Sequence, residues 1–383
     1  MKKQGIAGIA AVGAAALLLA SCASDGGGDG SGGASEDAIP LAYTATLSGD
    51  FASYGLEMRE GIDLAVEEIN ADGGVLGRDL TTTEVDDEGK PANGPVIAQQ
   101  FCDDDAIPAV LGFSFSSVAL SGLPVYTQCG LPVVASAVTS PELSGASEVF
   151  FRTVFTDAYQ GAEAANFIAE HREVERVAVL YQQDDYGKGV ADAFTQAFEA
   201  SGGSVTSSQA YQLGTVNFGS VVGTALGDAP DAVFIGGFYT EAAKIVTQIR
   251  DSGSDLPVFA SDGSASPTFL DLAGDDAEGV EVYSAFSATD SRPEAAAFVE
   301  AFNAKYGKDP SSWAALAYDA THIVADAIDQ AGGTDRAAVA QAIGETADFA
   351  GASGTIGFDA DGNRVGELTF QRVENGRFVV ITE

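Results

Sequence analysis

Basic residues are scarce in this chain. Eighteen Lys and Arg stand against 56 Asp and Glu among 383 residues, a formal net charge of −38. That balance excludes a nucleic-acid partner, because phosphate contacts need clustered Lys and Arg. It equally disfavours an anionic membrane surface. Histidine is scarcer still, with only His171 and His322, and neither sits beside a Ser or Cys nucleophile signature. No phosphate-binding Gly-x-x-x-x-Gly-Lys loop is present, and no glycine cluster follows a strand in dinucleotide spacing. The three cysteines, Cys22, Cys102 and Cys129, show no Cys-x-x-Cys spacing, so a zinc site is not expected. The run Asp103, Asp104 and Asp105 reads as a solvated helix end rather than a metal site. The chain is therefore read as a non-enzyme with no cofactor and no metal. Long apolar runs are missing too. The one at residues 6–20 is about 15 residues, short of the roughly 20 a spanning helix needs.

What is present begins at that run. Lys2 and Lys3 precede it, and Leu19, Ala20, Ser21 and Cys22 close it. A basic start, an apolar middle and small residues before a cut form a secretory signal. The cysteine at the cut resembles the lipobox of bacterial lipoproteins. Residues 1–21 are thus expected to be a signal peptide and Cys22 the lipidated first residue of an extracytoplasmic protein anchored to the cell membrane. Residues 22–37, mostly Gly, Ser, Asp and Ala, are expected to be a flexible tether. With Cys22 set aside, Cys102 and Cys129 remain in an oxidising compartment and are expected to pair. Such a bridge would stabilise by roughly 3–4 kcal/mol in the chain-entropy model.

From residue 38 the chain alternates. β-prone apolar runs fall at 41–46, 107–111, 131–135, 176–181, 232–235, 257–260 and 280–285, with helical patterns between them. Strands alternating with helices predict βαβ units and mostly parallel sheets. Met58, Ile62, Ala65, Val66 and Ile69 share one helical face, and Asp72, Gly73 and Gly74 end that helix. A helical pair is expected at 294–306 and Ser312–Ala331. Strand-like pieces follow at Gly354–Phe358 and 367–382, with turns at Asp361-Gly362 and Asn375-Gly376. The fold class is α/β, with two Rossmann-like lobes. Lobe 1 is expected to hold 38–156 plus about 287–353. Lobe 2 is expected to hold 157–286 plus about 354–383. Ligands bind beyond the carboxyl ends of such strands and in clefts between lobes.

Two strand ends are rich in hydroxyls. Ser114, Phe115 and Ser116 follow the strand at 107–111, and Ala137, Val138, Thr139 and Ser140 follow the one at 131–135. Ser140 before Pro141 reads as a helix cap, whereas free amides and hydroxyls at a helix start also bind carboxylates. Leu47, Ser48, Gly49, Tyr54 and Gly55, followed by 68–77, closely resemble the opening of the leucine/isoleucine/valine-binding proteins. The resemblance continues through 112–117, 132–143, 185–189, 236–239 and 277–279, and spans 39–383.

That family comprises substrate-binding components of ABC importers with the type I periplasmic-binding-protein fold and three interlobe crossings. The resemblance implies a monomeric receptor that captures an amino acid by hinge closure and hands it to an ABC permease. Ser116 and Thr139 would hold the ligand carboxylate, and the Ala137 carbonyl the ammonium. Asp262, where the family commonly has Glu, would pair with the ammonium. Tyr54 and Tyr186 would close over the ligand, joined by Phe238 or Tyr239, of which Tyr239 is favoured for its polar tip. Ser114, Phe115, Val138 and Trp313 would line the side-chain pocket. The hinge is expected at 155–158 and 285–289. Urea, short amides or aromatic acids as ligands, a sensor role, and more remotely a hydrolase are the competing readings.

Overall fold

The computed structural model describes residues 38–381. The expected signal peptide, the expected tether and Cys22 lie outside the described residues. Along the first lobe the order is β1 (Ile39–Ala45), α1 (Ala52–Ala71), β2 (Leu80–Asp86), α2 (Gly94–Cys102), β3 (Val110–Gly112), α3 (Ser116–Cys129), β4 (Val133–Ala135) and β5 (Phe150–Arg152). The second lobe follows with α4 (Asp157–His171), β6 (Arg176–Gln182), α5 (Asp185–Ala200), β7 (Ser204–Tyr211) and α6 (Gly219–Gly227). It continues through β8 (Ala232–Gly236), α7 (Tyr239–Asp251), β9 (Val258–Ala260), α8 (Pro267–Ala273) and β10 (Glu281–Ser284). The chain then returns to the first lobe with α9 (Pro293–Tyr306), α10 (Ser312–Ala331) and α11 (Arg336–Gly344). It ends in β11 (Phe349–Gly351), β12 (Gly354–Phe358), β13 (Arg364–Val365), β14 (Thr369–Glu374) and β15 (Arg377–Val380).

The first lobe is built on a parallel five-stranded sheet in the order β2-β1-β3-β4-β5. The second has seven strands in the order β15-β14-β10-β9-β8-β6-β7, parallel except at one edge, where β14 pairs antiparallel with both β10 and β15. The chain crosses between lobes three times, after β5, after β10 and after β13. Central strands such as β3, β4 and β8 are buried throughout, which is why they read as continuous apolar runs. The edge strands β2 and β7 are the opposite. Their sequences LTTTEVD and SVTSSQAY leave most positions at least partly exposed.

Helix α1 packs lengthwise on α10, and the approach needs a glycine. A Cβ on Gly61 would stand 2.0 Å from the Ala314 carbonyl oxygen. Cys102 at the end of α2 and Cys129 at the end of α3 are joined by a disulfide across a separation of 27 residues.

The lobe assignment differs at the C-terminal end. Residues 354–365 were expected in the second lobe, but β12 and β13 form with β11 a separate small sheet that sits on the first. The cause is the buried guanidinium of Arg152. Its Nε donates to Asn363 Oδ1 at 2.9 Å, and its amide donates to the Gly362 carbonyl at 3.0 Å. A buried charge must find acceptors, and the loop between β12 and β13 supplies them. The second lobe's share of the C-terminal segment is β14 and β15.

Candidate functional site

The two sheets present their carboxyl ends to one another, and the loops after the strands meet between the lobes. From the first lobe, Ser114 and Phe115 follow β3 and Ser116 opens α3. Ser114 Oγ accepts the Thr46 amide at 3.0 Å, which fixes the loop after β1 against the loop after β3. Ser116 Oγ accepts the Ser140 amide at 3.4 Å, joining the two hydroxyl-rich strand ends. Beyond β4, Ala137 is half-buried, while Val138 and Thr139 are fully buried. The Val138 carbonyl is taken by Arg152 Nη1 at 3.3 Å. The hydroxyls of Ser136 and Thr139 are buried without a hydrogen-bond partner. Ser140 caps the short helical turn at Pro141–Leu143, as its sequence suggested.

The second lobe answers with an acid. Asp262 lies just beyond β9 and is 3% exposed. Its Oδ1 accepts from the Tyr186 hydroxyl at 2.6 Å and its Oδ2 from Gln160 Nε2 at 3.1 Å. Burial pushes its carboxyl above the usual range, and those hydrogen bonds hold it partly back. Gly263 follows because nothing larger fits. A Cβ there would meet the Gly237 carbonyl and the Tyr186 hydroxyl at 2.7 Å each.

Aromatic rings bridge the lobes. Tyr54 packs on Trp313 at 5.5 Å and on Tyr239 at 4.8 Å, and its hydroxyl donates to the Gly263 carbonyl at 2.5 Å. Phe238 stacks on Tyr186 at 4.9 Å and meets Phe115 at 5.0 Å. The Tyr239 hydroxyl donates to the Asp50 carbonyl across the cleft at 3.2 Å. Both Phe238 and Tyr239 therefore join the cluster, Phe238 through its face and Tyr239 through its polar tip.

Two participants were not foreseen. Asp157, the first residue of α4, is fully buried, and its amide donates to the Thr139 carbonyl at 2.9 Å. Its carboxyl oxygens have no hydrogen-bond partner, the Thr139 hydroxyl standing beside them out of bonding geometry. Burial foremost, and then the Asp262 charge, raise it well above the usual carboxylate range. Gln160, one turn later, positions Asp262. The signal was available in principle, since Asp157 follows a strand and opens a helix, but that strand is the three-residue edge β5.

The two-lobed α/β body thus holds a cleft walled by hydroxyls on one side and a buried acid on the other, under an aromatic roof. Residues 38–377 match the family model described as periplasmic binding protein. The chain belongs to the periplasmic binding protein family. Such proteins are extracytoplasmic, and among the described residues no helix is long and apolar enough to cross a membrane.

The chain is 29% identical over 329 residues to the leucine-, isoleucine-, valine-, threonine- and alanine-binding protein of Pseudomonas aeruginosa, covering 85% of this chain and 87% of that one. Among solved structures it resembles the leucine binding protein LivK of Thermotoga maritima, with 30% identity and a TM-score of 0.85 over 90% of this chain and 98% of the other. It also resembles LivJ of Streptococcus pneumoniae in complex with isoleucine, at 30% identity and a TM-score of 0.84, over 90% of this chain and 99% of the other.

Proposed function

We propose that this protein is the substrate-binding component of an ABC importer and that it captures a branched-chain or related amino acid between its lobes. The observation that carries the reading is the opposition of two walls. Unpartnered hydroxyls and helix-start amides on the first lobe suit a carboxylate. A buried, prepositioned Asp262 on the second suits an ammonium. In this reading Ser116 and Thr139 hold the carboxylate, and the Ala137 carbonyl and Asp262 hold the ammonium. Phe115, Phe238 and Trp313 surround the side chain, and Tyr54 and Tyr186 close over the ligand. The relatives named for leucine, isoleucine and valine support the ligand class. Closure turns about the three crossings, with hinge residues at 155–158 and 285–289. Lipidation at Cys22 would hold the receptor beside its permease, and Cys22→Ser should release it from the membrane.

Calorimetry on the purified protein tests the ligand assignment. Leucine, isoleucine or valine should bind, and 4-methylpentanoate, which keeps leucine's carboxylate and side chain but has no ammonium, should bind at least about a hundredfold more weakly. Equal affinity for the acid would sink the ammonium assignment and favour a carboxylate-only ligand.

A further inference from the structure

A second interlobe cavity is lined by residues of both lobes other than those of the hydroxyl and acid walls. Its volume is about 530 Å³, within the range of small-molecule sites. Leu56, Glu57 and Glu60 of α1 and the turn from Lys308 to Ser312 wall it from the first lobe. Helix α8 and the β15 residues Arg377 and Phe378 wall it from the second, and the crossing at 286–289 forms the floor. Ser116, Thr139, Asp157 and Asp262 are not part of it.

Its charges do not balance. Lys308 pairs with Glu60 at 2.8 Å, and Arg377 lies 4.0 Å from Asp309. Both cations of the lining are thus engaged. Glu57 Oε1 accepts from the Ser266 hydroxyl across the lobes at 3.1 Å, but its Oε2 is buried without a hydrogen-bond partner. Burial pushes this carboxyl up to about 7, with Ser311 and Ser266 beside it easing the charge. A buried oxygen left unpaired is costly and marks a place where a donor is missing. The surrounding wall includes Leu56, Phe286, Phe302 and Phe378. No cluster among the described residues is placed to hold a metal ion.

We propose that this cavity is a second binding site, for a small organic ammonium ion carrying a hydrocarbon body, with Glu57 as its anionic partner. The ammonium donates to Glu57 Oε2, and the hydrocarbon packs against Leu56 and the phenylalanines. Because the walls come from both lobes, an occupant favours the closed form. By linkage it then raises the affinity of the principal cleft by the same factor as the principal ligand raises its own.

Isoamylammonium chloride is the probe, titrated calorimetrically into the whole protein with and without saturating leucine. Saturable binding is expected, undiminished by leucine, weakened at least about tenfold in Glu57→Gln and unchanged in Asp262→Asn. Absence of saturable binding overturns the site. So does competition with leucine, or loss in Asp262→Asn with retention in Glu57→Gln, since either places the amine in the principal cleft. Should Glu57→Gln fail to fold, the leucine competition and Asp262→Asn decide alone. Should leucine not bind at all, the amine titrations in the two variants still read the second site independently.

Discussion

The two lobes share a βαβ scaffold but furnish opposite halves of one cleft. The first offers hydroxyls and amides beyond its strand ends, and the buried hydroxyls of Ser136 and Thr139 have no partners. The second offers a carboxylate whose two oxygens are already engaged by Tyr186 and Gln160. The difference concerns readiness. A carboxylate in a low-dielectric cleft must be held by fixed donors before a ligand arrives, or burial would neutralise it. Neutral hydroxyls carry no such penalty and can wait unpaired at smaller cost. The lobes differ in bracing too. The first is clipped by the Cys102–Cys129 disulfide and tied to the returning chain through Arg152. The second is extended by the antiparallel β14–β15 hairpin.

The sharpest way to break this comparison is to remove the acid. Asp262→Ala should weaken amino-acid binding by about 3–5 kcal/mol, because the ligand ammonium would be buried without its partner. Calorimetry reads it directly, and unchanged affinity would mean that the second wall is not the ammonium wall. Asp262→Asn, which keeps the side chain's shape, should lie between.

Next in size is the clip. Replacing Cys102 and Cys129 together with Ser should cost about 3–4 kcal/mol of stability in the chain-entropy model, for a separation of 27 residues. Hydrogen exchange should locate the loss in α2 and α3, with the second lobe's amides barely affected. Equal loss of protection in both lobes would show that they unfold as one unit and that the bracing is not local.

The unequal lobes also explain how far the sequence could be read. Buried central strands announce themselves as apolar runs, so β3, β4, β8 and β9 stand out, and Ser312–Ala331 matches α10 at both ends. Edge strands are exposed on one face and draw on Thr and Ser, as in β2 and β7, or shrink to three residues, as in β5. Those were missed, and with β5 went Asp157, whose place at a strand end is what marks it. Asp262 and Tyr186 were legible because they lie beside recognisable motifs. The contact of Arg152 with Asn363 was not, since it joins residues 211 apart through a buried charge. Glu57 was hidden differently. On one turn of α1 it looks like any solvated acid, and its partner Ser266 lies on the other lobe, 209 residues away.

A smaller effect tests the hydroxyl wall. Thr139→Val keeps the shape and removes an oxygen that has no partner in the unliganded fold. Binding should weaken by about 1.5–3 kcal/mol, the range for a hydrogen bond to a charged group. The unfolding midpoint without ligand should stay level or rise. A fall in stability with no change in affinity would reverse the assignment and make Thr139 structural.

A dependence on pH probes Glu57, an acid that the first lobe holds between the lobes. Burial moves the Glu57 carboxyl from an ordinary 4.5 to about 7 in the folded protein. Between those values the folded chain binds more proton than the unfolded chain, so stability falls as pH rises. The stabilisation tied to protonated Glu57 is fully present below about 4.5 and lost as pH rises through about 7. Glu57→Gln carries no such proton. The other raised carboxyls, Asp157 and Asp262 among them, titrate alike in both proteins and cancel in the difference. The midpoint of wild type minus that of the variant should therefore decline from pH 4.5 to 7 and then level off. A difference that stays flat with pH would mean that the Glu57 carboxyl is solvated in the folded protein.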